Sequence, residues 1–147
     1  MILPDANLII YAYDLDSPFH SIAANWWTEC LSQAEPVGLA HVILFAFIRL
    51  STSPRIFSNP FTLTEAIREV RAWSDQPNLR ILGESQDHWK RVCDILARAE
   101  GSGNLITDAQ LAAFALEYHG TVHTADTDFQ RFAGVSWFNP ITGGKGG

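Results

Sequence analysis

Short apolar runs alternate along this chain with longer segments whose apolar residues recur at helical spacing, so its elements can be read in order. Ile2-Leu3 opens a strand, and Pro4, which lacks a ladder donor, falls at its end. Ser17-Pro18 has the form of a helix start, an N-cap followed by proline, and Ile22, Trp26, Trp27 and Cys30 carry the apolar face through Leu31. Val37–Leu39 fits a strand. His41–Leu50 is apolar nearly all round, the mark of a buried helix. Thr62-Leu63-Thr64-Glu65 spells a capping box and predicts a helix to about Trp73. Leu79–Leu82 is the next strand. Trp89, Val92, Cys93 and Leu96 fall at i, i+3, i+4 and i+7 of a further helix. Leu111, Phe114, Ala115 and Tyr118 repeat that spacing after Asp108, with Gly120 as the C-cap glycine. Thr121–Thr124 and then Ser136-Trp137-Phe138 close the series, the latter as an edge strand.

Strands that alternate with helices predict an α/β domain with a mostly parallel sheet and helices on both faces. No repeat or linker interrupts residues 1–142, which are expected to form one domain; residues 143–147, Gly-Gly-Lys-Gly-Gly, read as a flexible tail. A length of 147 residues suits a single domain with a real core, and a hydrophobic share of 47% excludes a disordered chain.

Charge narrows the function classes. A formal net charge of −6 argues against a general nucleic-acid-coating module, because phosphate attraction ordinarily comes from excess lysine and arginine. It argues less against a metal-dependent nuclease, since bound cations reverse the sign of an acidic site. Cys30 and Cys93 are the chain's 2 cysteines and have neither disulfide-framework nor zinc spacing, and the five histidines show no metalloprotease pattern. The longest apolar run, Val42–Ile48, is too short to span a bilayer, so a soluble cytoplasmic protein with no membrane partner is expected.

Four aspartates stand where apolar runs break off: Asp5, Asp108, Asp126 and Asp128. Singly, each has a structural explanation. Asp5 can cap a helix through Tyr11, Asp108 the helix ending near His119, Asp126 can start a turn, and Asp128 can cap a short helix over Phe129–Phe132. Together, at strand ends, they would meet in the crevice where open α/β sheets bind ligands. Carboxylates gathered there repel unless a cation joins them or some take up protons. An all-oxygen set favours magnesium or manganese, and the chemistry open to it is phosphodiester hydrolysis by an activated water. Arg49 is the one charge in the apolar His41–Leu50 helix; it either snorkels at the helix end or holds a carboxylate or phosphate, and both readings predict a half-buried arginine. Asp5-Ala6-Asn7 lacks the second aspartate of a phosphatase, which disfavours an aspartyl-phosphate mechanism. The five tryptophans are expected mostly in the core.

The segments Leu3-Pro4-Asp5-Ala6-Asn7-Leu8, Phe47-Ile48-Arg49-Leu50-Ser51-Thr52-Ser53-Pro54-Arg55, Gly103 through Ala113, Thr124 through Phe132 and Trp137-Phe138-Asn139-Pro140 follow one another in the order of a known family. In series they resemble the PIN domain, and specifically the VapC-type toxins of type II toxin–antitoxin pairs. The resemblance implies a three-layer α/β/α sandwich with a five-stranded parallel sheet and a Mg2+- or Mn2+-dependent endoribonuclease. It implies a structured RNA substrate such as tRNA or rRNA, a VapB-like antitoxin partner and a homodimer. Asp5, Asp108 and Asp126 match the family's metal-site acids, and Asp128 a frequent additional carboxylate. Thr124 matches a hydroxyl near that site, and Asn7 and Arg49 its supporting residues. The family carries glutamate three residues before the arginine; here that position is Ala46, which neither binds a metal nor orients a water. The expectation is an impaired nuclease or, alternatively, a PIN-fold protein that binds RNA or antitoxin without cutting.

Overall fold

The computed structural model describes residues 1–100 and 103–147; Gly101-Ser102 lie outside the described residues. Strands β1 (Ile2–Pro4), β2 (Val37–Ala40), β3 (Leu79–Leu82), β4 (Thr121–His123), β5 (Trp137–Phe138) and β6 (Lys145–Gly146) form one sheet in the order β3-β2-β1-β4-β5-β6. All neighbours run parallel except β5 and β6. Helices α1 (Ala6–Tyr13), α2 (His20–Ser32), α3 (His41–Ser51), α4 (Leu63–Ser74), α5 (His88–Arg98) and α6 (Ile106–Glu117) complete a three-layer α/β/α fold.

Central β1 and β2 are buried along their whole length, as parallel strands covered on both faces must be. The chain steps outward from β1 to β2 and β3, then returns to place β4 on β1's other side, pairing Pro4 with His123. That reversal creates a switch point at the carboxyl ends of β1 and β4.

The capping box forms as read: Thr62 Oγ1 accepts from the Glu65 N–H, and the Glu65 carboxylate from the Thr62 N–H. Helices α1 to α4 are knitted by aromatic rings, with Phe47 and Trp73 4.5 Å apart and Trp27 edge-on to Trp73 at 5.2 Å. Trp73 Nε1 donates to the Tyr13 hydroxyl, which donates to Glu69. Trp26, Trp27 and Trp73 are core residues and Trp137 is half-buried, whereas Trp89 is 63% exposed.

Several boundaries move. Helix α2 begins at His20, because Ser17 Oγ accepts from the Phe19 N–H and holds a turn first. Gly120 is not the left-handed cap; His119, with φ of 51°, takes that conformation. Gly120 is glycine for a different reason, since a Cβ there would collide with the Leu3 side chain and lie 3.0 Å from the Met1 carbonyl. The sheet has a sixth strand where five were expected. It comes from the tail read as flexible: Lys145–Gly146 pairs antiparallel with Trp137–Phe138, so β5 is not an edge. Gly146 permits this closeness, because a Cβ would sit 2.6 Å from Trp137 Nε1.

Candidate metal centre

Two backbone turns at the switch point set up the acids. Asp5 directly follows β1, and its N–H donates to the His123 carbonyl at 2.9 Å, carrying the β1–β4 pairing one residue beyond the strands. Thr124 directly follows β4. Its hydroxyl donates to Asp5 Oδ2 at 2.8 Å and accepts from the Asp126 N–H at 2.9 Å. Asp126 Oδ1 in turn accepts from the Asp128 N–H at 2.8 Å and opens a 3-10 turn over Thr127–Arg131. One relay of hydrogen bonds thus orients Asp5, Thr124, Asp126 and Asp128.

The capping roles read from the sequence change. Asp5 occupies the N-cap position of α1, yet its carboxylate turns to Thr124 rather than capping the helix. Asp126, not Asp128, caps the 3-10 turn. Asp108 ends no strand: Gly103–Leu105 is a 3-10 turn and α6 begins at Ile106, so Asp108 sits in its first turn. Of the apolar pair Leu105-Ile106 only Leu105 is buried and Ile106 is 47% exposed, so the pair is not a parallel strand covered on both faces. A helix N-terminus favours an anion, and α6 packs on β1 and β4, which carries Asp108 to the same place.

Asp108, Asp126 and Asp128 each offer a carboxylate oxygen within 4.8 Å of the others. Asp5 lies deeper, 4% exposed. Burial pushes its carboxyl above the ordinary carboxylate range; the Thr124 hydroxyl opposes this, the Asp126 charge adds to it, and the N–H dipoles of Ala6 and Asn7 also oppose it. The Asp108 carboxyl is pushed up to about 7, chiefly by burial and then by the charges of Asp5, Asp126 and Asp128. All four acids therefore share one field. The sole ion pair of any of them among the described residues is Asp128 with Arg131, a loose 3.8 Å. A donor set of hard oxygens with excess negative charge, one carboxyl of it raised chiefly by burial, fits a divalent cation such as Mg2+ or Mn2+.

The supporting residues fall less evenly. Thr124 is fully buried within the relay. Asn7 is exposed and lines a cavity of about 250 Å³ with Tyr11, Ala125, Asp126 and Thr127. Arg49 is exposed rather than half-buried, in the last turn of α3, and no ion pair joins it to the acids among the described residues. The helix end explains it: its charge suits the C-terminal dipole, and water solvates it there. Ala46 is partly buried on the same helix. Sequence reasoning passed over Tyr11, although its place one helical turn after Asn7 signalled a shared face.

A parallel α/β sheet whose switch point gathers carboxylates defines a class of candidate metal-binding α/β proteins. The family model of the PIN domain matches residues 2–135. Ribonuclease VapC33 of Mycobacterium tuberculosis is 38% identical over 141 residues, covering 96% of this chain and 99% of that protein. The crystal structure of Mycobacterium tuberculosis VapC20, a sarcin–ricin loop cleaving toxin, superposes with a TM-score of 0.69 at 18% identity, covering 92% of this chain and 96% of that one. The structure of VapBC-1 from nontypeable Haemophilus influenzae gives 0.67 at 18%, covering 95% and 98%. The chain belongs to the PIN-domain family, in the branch of the VapC ribonucleases.

Proposed function

We propose that this chain is the toxin of a type II toxin–antitoxin pair and a metal-dependent endoribonuclease of the cytoplasm. The observation that carries the reading is the convergence of Asp108, Asp126 and Asp128 within 4.8 Å, with Asp5 close enough to raise Asp108. The relatedness to VapC33 agrees with it. Asp5, Asp108, Asp126 and Asp128 would hold Mg2+ or Mn2+, which when bound supplies Lewis acidity to phosphate oxygens and water. Thr124 holds Asp5 in one orientation, so the deepest carboxylate is preset before substrate arrives. Asp108, whose carboxyl is pushed up to about 7, would give up any proton it holds to solvent on taking a cation. Asn7, on the rim, is a donor and acceptor for the sugar–phosphate backbone. Structured RNA is the proposed substrate, a VapB-like antitoxin the proposed partner and a homodimer the proposed assembly.

Ala46 favours a second reading, a PIN-fold protein that binds RNA or antitoxin without cutting, since the family's glutamate is missing there. Incubation with tRNA and rRNA fragments in Mn2+, against a chelator control, separates the two. Cleavage that disappears in Asp5→Asn and Asp108→Asn supports the nuclease. Cleavage that persists in both variants overturns it, and intact RNA with retained binding favours the second reading.

A further inference from the structure

We propose that Tyr11 is a base-stacking platform, so that the site grips the nucleobase next to the bound phosphate; this rests on the ribonuclease reading above. The cavity of about 250 Å³ beside Asp126 has one aromatic wall, Tyr11, with Asn7, Ala125 and Thr127 around it. On α1, Ala6, Leu8, Ile9, Ile10 and Ala12 are buried in the core, whereas Asn7 and Tyr11 are turned one above the other towards that cavity. The Tyr11 ring is partly exposed and braced by Phe19, with centroids 5.3 Å apart at 57°. Packing against Phe19 holds it, with its ring face left towards the cavity. A braced aromatic face beside a phosphate site is how single-stranded bases are commonly held.

Charge favours such a contact. With 16 acidic against 10 basic residues, the chain has little long-range pull on a polyanion. Recognition must then come from the cation itself and from contacts that do not depend on net charge, of which stacking is the strongest available to a base.

The test is calorimetric titration of the wild-type protein in Mn2+ with ribose 5-phosphate and with each nucleoside 5′-monophosphate, alongside Mn2+ alone. Wild type and Tyr11→Phe are expected to bind nucleotides about tenfold more tightly than ribose 5-phosphate. Tyr11→Ala and Tyr11→Leu are expected to bind both alike, with ribose 5-phosphate affinity and Mn2+ affinity unchanged. Leucine fills the space against Phe19, so a folding defect in the alanine variant does not decide the outcome. A wild-type preference near one, or a preference that survives in Tyr11→Leu, overturns stacking while leaving the metal site standing. If wild type binds neither Mn2+ nor any of these phosphates, the ribonuclease reading falls and the platform falls with it.

Discussion

The two ends of α6 each carry a sheltered carboxylate, and they are treated in opposite ways. At the C-terminal end, Glu117 receives a hydrogen bond from Ser85 at 2.9 Å and meets His88 Nδ1 at 3.1 Å and Arg91 Nε at 3.5 Å. At the N-terminal end, Asp108 faces Asp5, Asp126 and Asp128, and its carboxyl is pushed up to about 7. Glu117 is satisfied by its own chain and ties α5 to α6. Asp108 is surrounded by like charge, an arrangement that costs stability unless a cation joins the acids or some of them take up protons. Burial alone does not separate these two acids; the sign of their neighbours does.

Asp108→Asn should lower Mn2+-dependent RNA cleavage by on the order of 10²-fold or more, and abolish Mn2+ binding, while leaving the metal-free protein at least as stable. Calorimetry, gel cleavage assays and thermal melts check all three; a cleavage rate near wild type would show the clustered charge to be incidental. Glu117→Ala should do the reverse. Leaving the buried His88 Nδ1 without a partner should cost about 1–3 kcal/mol in urea unfolding, the half-exposed Arg91 adding little, with cleavage per folded molecule unchanged. A loss of activity without a loss of stability would move Glu117 into the site.

Two smaller effects sharpen the contrast. Ala46→Glu restores the acid that the family pattern carries and should raise cleavage by about tenfold; an unchanged rate would refute that account of the impaired site. The acid cluster also predicts how stability follows pH. Asp108 is raised from 3.8 to about 7, so the folded state holds its proton more tightly than the unfolded chain. Its contribution is full below about pH 4 and is lost as pH rises through about 7, so this group makes the metal-free protein less stable at pH 7.5 than at pH 5. Mg2+ should cancel that decline, and Asp108→Asn should remove it. Melting curves across this range, with and without Mg2+, check the sign.

Much of the site could be read along the chain because its strongest signals are local. Asp5 and Thr124 stand immediately after strands whose apolar runs are plain, and PIN-type segments recur in order. Asp108 shows the limit: Leu105-Ile106-Thr107 resembles a strand end in composition, and only packing beneath β1 and β4 makes it a helix start. Arg49 shows another, since its exposure depends on where α3 ends relative to its neighbours. The tail misled because glycine reads as flexible, whereas here it permits a strand to lie against Trp137.

Periodicity and turn chemistry by themselves determined the α/β class and nearly all the elements, because each depends on neighbours a few positions apart. Tertiary structure alone decided that Thr124 would bridge Asp5 and Asp126, that α6 would put like charges at one end and opposite charges at the other, and that Tyr11 would wall a cavity. Those are distances between residues up to 119 positions apart, as for Thr124 and Asp5, and they exist only once the sheet reverses direction at β1.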